Sequence, residues 1–188
     1  NYNNVIKFLR LVNEEKGLNI GFRHISLSTC GVVPRIYDLM DRHLQLTLSV
    51  SLHAPNNEMR SKTMPINRKY PIEELLKACR EYTKRTSRRI SFEYAMIKDV
   101  NDSDACAYEL ASLLKGMLCH VNLIPANEIV ESSHKRSTNE RLERFIQILN
   151  SRGINATVRR SLGSDIDASC GQLRSRHNRE ISEKEGNK

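Results

Sequence analysis

No stretch of this 188-residue chain is apolar for the roughly 20 residues that a bilayer-spanning helix needs. The first apolar stretch, Val5 to Val12, is interrupted by Lys7 and Arg10, so no signal peptide is read there. The five cysteines, Cys30, Cys79, Cys106, Cys119 and Cys170, are odd in number and include no CxxC pair. That fits neither a secreted disulfide framework nor a zinc site, and points to free thiols in a reducing, cytoplasmic compartment. Low-complexity linkers are also lacking, and the length suits one well-buried domain better than two. The chain opens on Asn1, directly into helical periodicity, from which a missing upstream part is expected.

What the chain does have is basic charge: 30 Lys and Arg against 22 Asp and Glu, for a net +8. These residues cluster in segments that read as loops: Arg60, Lys62, Arg68 and Lys69; Lys84, Arg85, Arg88 and Arg89; Lys135 and Arg136. Such clusters favour a polyanionic partner, RNA above all, over a merely solubilising surface.

Helical and strand periodicities alternate along the sequence. Helices are expected over Asn3–Lys16, Pro34–His43, Pro71–Lys84, Ser103–Leu118 and Ser137–Arg152. Strands are expected over His24–Cys30, Leu46–His53, Ile90–Ile97, His120–Ala126 and Ala156–Ser161, with a long loop between the second strand and the third helix. This order implies parallel strands with helical crossovers. Residues 174–188 are almost without apolar side chains and are expected to be a disordered tail behind a single domain over 1–173.

The strands alternate rather than running apolar throughout. Leu46, Leu48, Val50 and Leu52 oppose Thr47, Ser49, Ser51 and His53; Ile90, Phe92, Tyr94 and Met96 oppose Ser91, Glu93 and Ala95. Val121 and Leu123 oppose His120 and Asn122. Strands buried on both faces would be continuously apolar. The apolar face must meet the helices, so the polar face points into a lumen, where small Ser and Thr leave room for a polar ligand. A closed barrel would fill that space with Val, Ile and Leu. The competing architecture is a two-layer sheet with one wet face. Five strands do not close a parallel barrel, so a partial α/β barrel with its N-terminal strands missing is the preferred fold class.

Ligands of such barrels sit at the C-terminal strand ends. There the sequence offers Ser28 and Thr29, Ser51 and His53, Glu93, and Asn127. Hydroxyl, imidazole and amide groups suit a ribose or an amino-acid moiety. Glu93 and Arg159 read equally well as an ion pair within the lumen. Cys170 lies in the polar, Gly-flanked run Gly163 to Leu173, where exposure is expected. Asp165 and Asp167 would raise its pKa unless a cationic ligand stood beside it.

Several segments together resemble the RlmN/Cfr family. They are Leu27-Ser28-Thr29 with Gly31 to Pro34, Ser51 to Asn56, Met64 to Tyr70, Val121 to Pro125 with Asn127, and Asp165 to Ala168 with Cys170 to Leu173. The resemblance runs from Asn1 to about Leu173. It implies a partial barrel of the radical S-adenosylmethionine type that methylates adenine in large-subunit 23S ribosomal RNA at C2, with tRNA as a second substrate and an external electron donor. It further implies that Ser28, Ser51, Leu52, His53 and Asn127 contact S-adenosylmethionine. Cys170 would carry the methyl group on its sulfur before radical steps deliver it to the base, and a second cysteine would resolve the adduct through a disulfide. The family's CxxxCxxC motif for a [4Fe-4S] cluster, its Gly-Glu-Pro stretch, its N-terminal RNA-binding domain and its resolving cysteine are absent from these 188 residues. Within this sequence no metal ligands are assigned, and the chain by itself is not expected to catalyse the reaction. It is expected to be a monomer without membrane contact. The open alternatives are C8 methylation, a non-catalytic RNA-binding remnant, and a metabolic barrel enzyme acting on a phosphorylated small molecule.

Overall fold

The computed structural model describes residues 1–126 and 135–159. Five parallel strands form one sheet in the order β1-β2-β3-β4-β5. They are β1 (Ser26–Thr29), β2 (Thr47–Ser51), β3 (Ile90–Met96), β4 (Cys119–Pro125) and β5 (Ala156–Val158). Helices α1 (Tyr2–Asn13), α2 (Val33–Met40), α3 (Asn57–Thr63), α4 (Ile72–Thr86), α5 (Asp104–Leu114) and α6 (Asn139–Ser151) precede and connect them. Parallel neighbours require such crossovers, since a tight turn only reverses the chain.

One continuous core lies between sheet and helices. It joins Leu48 and Val50 of β2, Phe92 and Tyr94 of β3 and Val121 and Leu123 of β4 to Ile36, Leu75, Leu110 and Phe145 of the helices. In β3 and β4 burial alternates residue by residue. The face away from the helices carries Ser26, Ser28, Ser49, Ser51, Ser91, Glu93, His120 and Asn122. The expected polar lumen and partial barrel are therefore present.

Helix starts follow side-chain caps. Asn56 accepts from the Met59 N–H, Ser103 from Cys106 and Thr138 from Arg141, each supplying an acceptor for an otherwise orphaned first-turn donor. Three expectations need correction. His24 belongs to a 3-10 turn (Phe22–His24) before β1 rather than to the strand. The long loop after β2 contains α3 and a second 3-10 turn, Pro65–Arg68. Helix α1 also stops at Asn13, because Glu14 leaves the helical region with ψ 132°.

Phe92 is fully buried, whereas Leu11 on α1 is 67% exposed. Phe92→Ala is expected to cost about 3–5 kcal/mol in urea unfolding, from lost transfer energy plus a cavity. Leu11→Ala is expected to stay within about 0.5 kcal/mol. Equal losses from the two variants would contradict this placement of the core.

Candidate functional site at the strand ends

The C-terminal ends of β1, β2 and β3 lie side by side, in a register that pairs Ser28 with Ser49 and Ser51 with Glu93. On β4, Asn122 pairs with Glu93. The Glu93 carboxylate accepts from Asn122 Nδ2 at 2.7 Å and from Ser91 Oγ at 3.0 Å. No Glu93–Arg159 ion pair occurs among the described residues. Ser26 and Ser49 join their hydroxyls at 2.7 Å deeper in the lumen. The Ser28 and Ser51 hydroxyls have no hydrogen-bond partner among the described residues. Both point from the lumen face, Ser28 exposed and Ser51 half-buried.

His53 follows β2 with φ +60°, a left-handed conformation that costs a non-glycine residue energy and persists only when its surroundings enforce it. Three bonds enforce it here. Its N–H donates to the Glu93 carbonyl at 3.2 Å, its carbonyl accepts from Asn101 Nδ2 at 2.9 Å, and its ring Nδ1 accepts from the Ala95 N–H at 3.0 Å. An Nδ1 that faces a backbone donor cannot hold a proton there, so the neutral ring carries its hydrogen on Nε2. Burial lowers the imidazole pKa below its ordinary 6.5; Arg60 adds to that and Glu93 opposes it.

Leu52 is placed differently from the other candidates. Its side chain is fully buried in the core, its N–H donates to the Glu93 carbonyl, and its carbonyl accepts from Arg60 Nε. The inward-facing alternation of β2 gives a physical reason: Leu52 has the parity of Leu48 and Val50, so only its carbonyl's second lone pair remains for a ligand. Asn127 and Cys170 fall outside the described residues, as does the 174–188 segment.

Arg60 also departs from expectation. Read in sequence as one of the basic loop residues, it is fully buried on α3. Its guanidinium donates to the carbonyls of Cys30 (2.8 Å), Ser51 (3.1 Å) and Leu52 (3.2 Å) and to Asn67 Oδ1 (3.0 Å). Asn67 is itself buried, and its amide donates to Asn57 and Ser61. Gly31 makes the close approach possible: it holds φ +102°, and a Cβ there would stand 3.1 Å from Leu75 and 3.4 Å from Arg60. The remaining members of that cluster, Lys62, Arg68 and Lys69, are exposed. The Lys84 to Arg89 cluster sits at the opposite end of the sheet, before β3, where Arg85 pairs with Asp41 at 3.1 Å.

Sequence reasoning missed Arg60, Asn67 and Asn101. A helix-start signal at Pro55-Asn56 and the turn-forming run Asp99-Val100-Asn101-Asp102 were the available clues.

Residues 1–111 match the family model for the radical SAM superfamily. The chain belongs to the radical SAM superfamily. This radical SAM chain is 57% identical, over 96% of its length, to a probable dual-specificity RNA methyltransferase RlmN from Caldanaerobacter subterraneus subsp. tengcongensis, 53% of which is covered. A protein of the same name from Clostridium beijerinckii is 60% identical over 93% of the chain, with 49% of that relative covered. The chain thus spans about half the length of the curated relatives it matches. A crystal structure of a radical SAM methyltransferase from Sphaerobacter thermophilus superposes with a TM-score of 0.88 at 53% identity, covering 91% of this chain and 50% of that one. A domain of pyruvate-formate lyase-activating enzyme from Bacteroides vulgatus, 18% identical with a TM-score of 0.65 over 85% of this chain and 91% of that one, shares the fold.

A radical SAM fold implies S-adenosylmethionine and a [4Fe-4S] cluster. The donor set at the strand ends suits the first: hydroxyls and an imidazole N–H around a lumen left open by small side chains. It does not suit the second. Among the described residues Cys79, Cys106 and Cys119 are buried, Cys30 alone is exposed, and no group of three metal-ligating side chains occurs. No helix among the described residues is long and apolar enough to cross a membrane.

The lowered pKa values of His53 and His120 set a pH dependence. The unfolded chain takes up protons that the folded chain refuses. Stability is therefore complete above the ordinary value of 6.5 and is lost as pH falls from there toward the folded values. Denaturant midpoints are expected to drop between pH 7.5 and about 5.5, and His53→Gln is expected to flatten part of that slope. A midpoint that rises on acidification would contradict the assignment.

Proposed function

We propose that this chain is the C-terminal portion of a radical S-adenosylmethionine RNA methyltransferase whose strand ends hold the cofactor. The observation that carries the reading is the row Ser28, Ser51 and His53, two hydroxyls and one ring N–H presented to an open polar lumen. S-adenosylmethionine, when bound, supplies the methyl group and the radical-forming chemistry. The chain's own part is to bind and orient it. Ser28 and Ser51 offer hydroxyls, His53 offers an N–H that stays neutral near pH 7, and Asn127 adds an amide as the resemblance implies. Leu52 supports the row from the core side. The ligands of the [4Fe-4S] cluster would come from the half of the RlmN relatives that this chain does not span.

The relatives' name, dual-specificity RNA methyltransferase, supports RNA as the substrate. We assign adenine C2 of 23S rRNA, with tRNA as a second substrate, and an external electron donor. Lys62, Arg68, Lys69, Lys135 and Arg136, all exposed, lie in the segments that follow the strand ends and are suited to RNA phosphates. Cys170 accepts the methyl on its sulfur, and no other side chain substitutes, because neither Ala nor Ser offers a sulfur. The enzyme works as a cytoplasmic monomer.

The test joins the 188 residues to the upstream half of the Clostridium beijerinckii relative and assays RNA by mass spectrometry for methyladenine. The unmutated chimera is expected to form 2-methyladenine and to carry one extra methyl on the peptide containing Cys170. Cys170→Ala is expected to fold and form none. Normal methylation by that variant, or 8-methyladenine from the parent, would overturn the assignment.

A further inference from the structure

Two of the three bonds that hold the strained His53 depend on a single buried side chain. The segment after β3 supplies it. Asn101 is buried, 3% exposed. Its Nδ2 donates to the His53 carbonyl at 2.9 Å and to the Ala95 carbonyl at 2.7 Å, while Oδ1 accepts from the Ile97 N–H at 2.8 Å. The amide orientation follows from the partners: two carbonyls can only meet the NH2 group, and an N–H can only meet the oxygen. Its own carbonyl is held in turn by the buried Tyr94 hydroxyl at 2.8 Å.

Those bonds converge on one residue, Ala95. Asn101 grips the Ala95 carbonyl, and the Ala95 N–H is the donor that meets His53 Nδ1. The same Nδ2 grips the His53 carbonyl and so fixes the φ +60° backbone from which the ring projects. One side chain therefore ties the end of β2 to the end of β3 and sets both the position and the tautomer of the ring between them. Asp carries no donor for the two carbonyls, and Leu carries neither donor nor acceptor. Gln is longer by a methylene in a site already closed.

We infer that Asn101 is a positioning residue of the site, holding His53 so that its Nε2–H is presented to a hydrogen-bond acceptor on the ligand, such as a ribose oxygen, a carboxylate or a ring nitrogen. This rests on the reading that the strand ends bind S-adenosylmethionine, and it goes further by giving His53 a single donor role. The charged groups facing the ring are Arg60 from α3 and Glu93 from β3; they act on it in opposite directions.

The experiment uses the 188-residue chain, labelled with nitrogen-15 at histidine, and follows the His53 ring by NMR against pH and against added S-adenosylmethionine. In the unmutated chain His53 is expected as the Nε2–H tautomer alone, with a pKa below the ordinary 6.5, and its Nε2 signal is expected to move on titration with the ligand. In Asn101→Ser and Asn101→Leu the tautomers are expected to mix, the pKa to climb back toward 6.5, and ligand affinity to fall about tenfold, a change on the scale of one lost hydrogen bond. A merely structural asparagine would leave tautomer and pKa unmoved in any variant that folds, and that result would overturn the inference. Should both variants fail to fold, Tyr94→Phe removes only the hydroxyl that holds Asn101. It is expected to shift the His53 signals in the same direction by less, and unchanged signals there would overturn the inference as well. Tautomer mixing in the variants without any ligand response from the unmutated chain would uphold the grip on His53 while refuting the ligand reading.

Discussion

The site depends on one buried guanidinium. Arg60 has no carboxylate within ion-pair distance among the described residues, yet it lies wholly out of solvent. Removing such a charge from water costs several kcal/mol, a penalty its four charge-assisted hydrogen bonds offset. Its effect is geometric: by capturing the carbonyls of Cys30, Ser51 and Leu52 it draws the ends of β1 and β2 onto α3. Ser28, paired with Ser49, and Ser51 thereby lie on one face of adjacent strand ends, and β2 leads toward β3, where Asn101 and Ala95 receive His53.

This arrangement divides labour between the two faces of each strand. Odd or even parity alone decides whether a residue meets helices or lumen. Leu52 and His53 are chain neighbours with opposite duties, one sealing the core and the other turned to the lumen side. Ser51 and His53 share a face, but His53 reaches its place only by leaving extended geometry. That is why the strand ends at Ser51 although the apolar and polar alternation continues to His53.

Much of this was legible in the sequence. Period-two alternation in 46–53 and 90–97 gave the parallel strands, the helix-facing side and the polar lumen, because face assignment needs nothing beyond side-chain parity. Helix spans emerged within a few residues, capped by Ser103 and Thr138. Arg60 was not legible. An arginine in a basic, proline-punctuated stretch reads as solvated, and only the carbonyls brought to it from 8, 9 and 30 positions back in the chain reverse that reading; the Cys30 carbonyl, 30 positions distant, is the decisive one. Asn101 was hidden for a related reason. Asn and Asp in a turn usually serve that turn, whereas this amide spends one bond on its own loop and reaches 48 positions back with another.

The most direct measurement is a crystal structure of the chimeric protein with its cluster in place and S-adenosylmethionine bound. The account predicts the ligand at the C-terminal ends of β1 to β3, with Ser28 and Ser51 hydroxyls and His53 Nε2 within hydrogen-bond distance of its polar atoms, and with Arg60 still holding the three strand-end carbonyls. A ligand seated away from this row, or one that displaces His53 from its bond with Ala95, would contradict it.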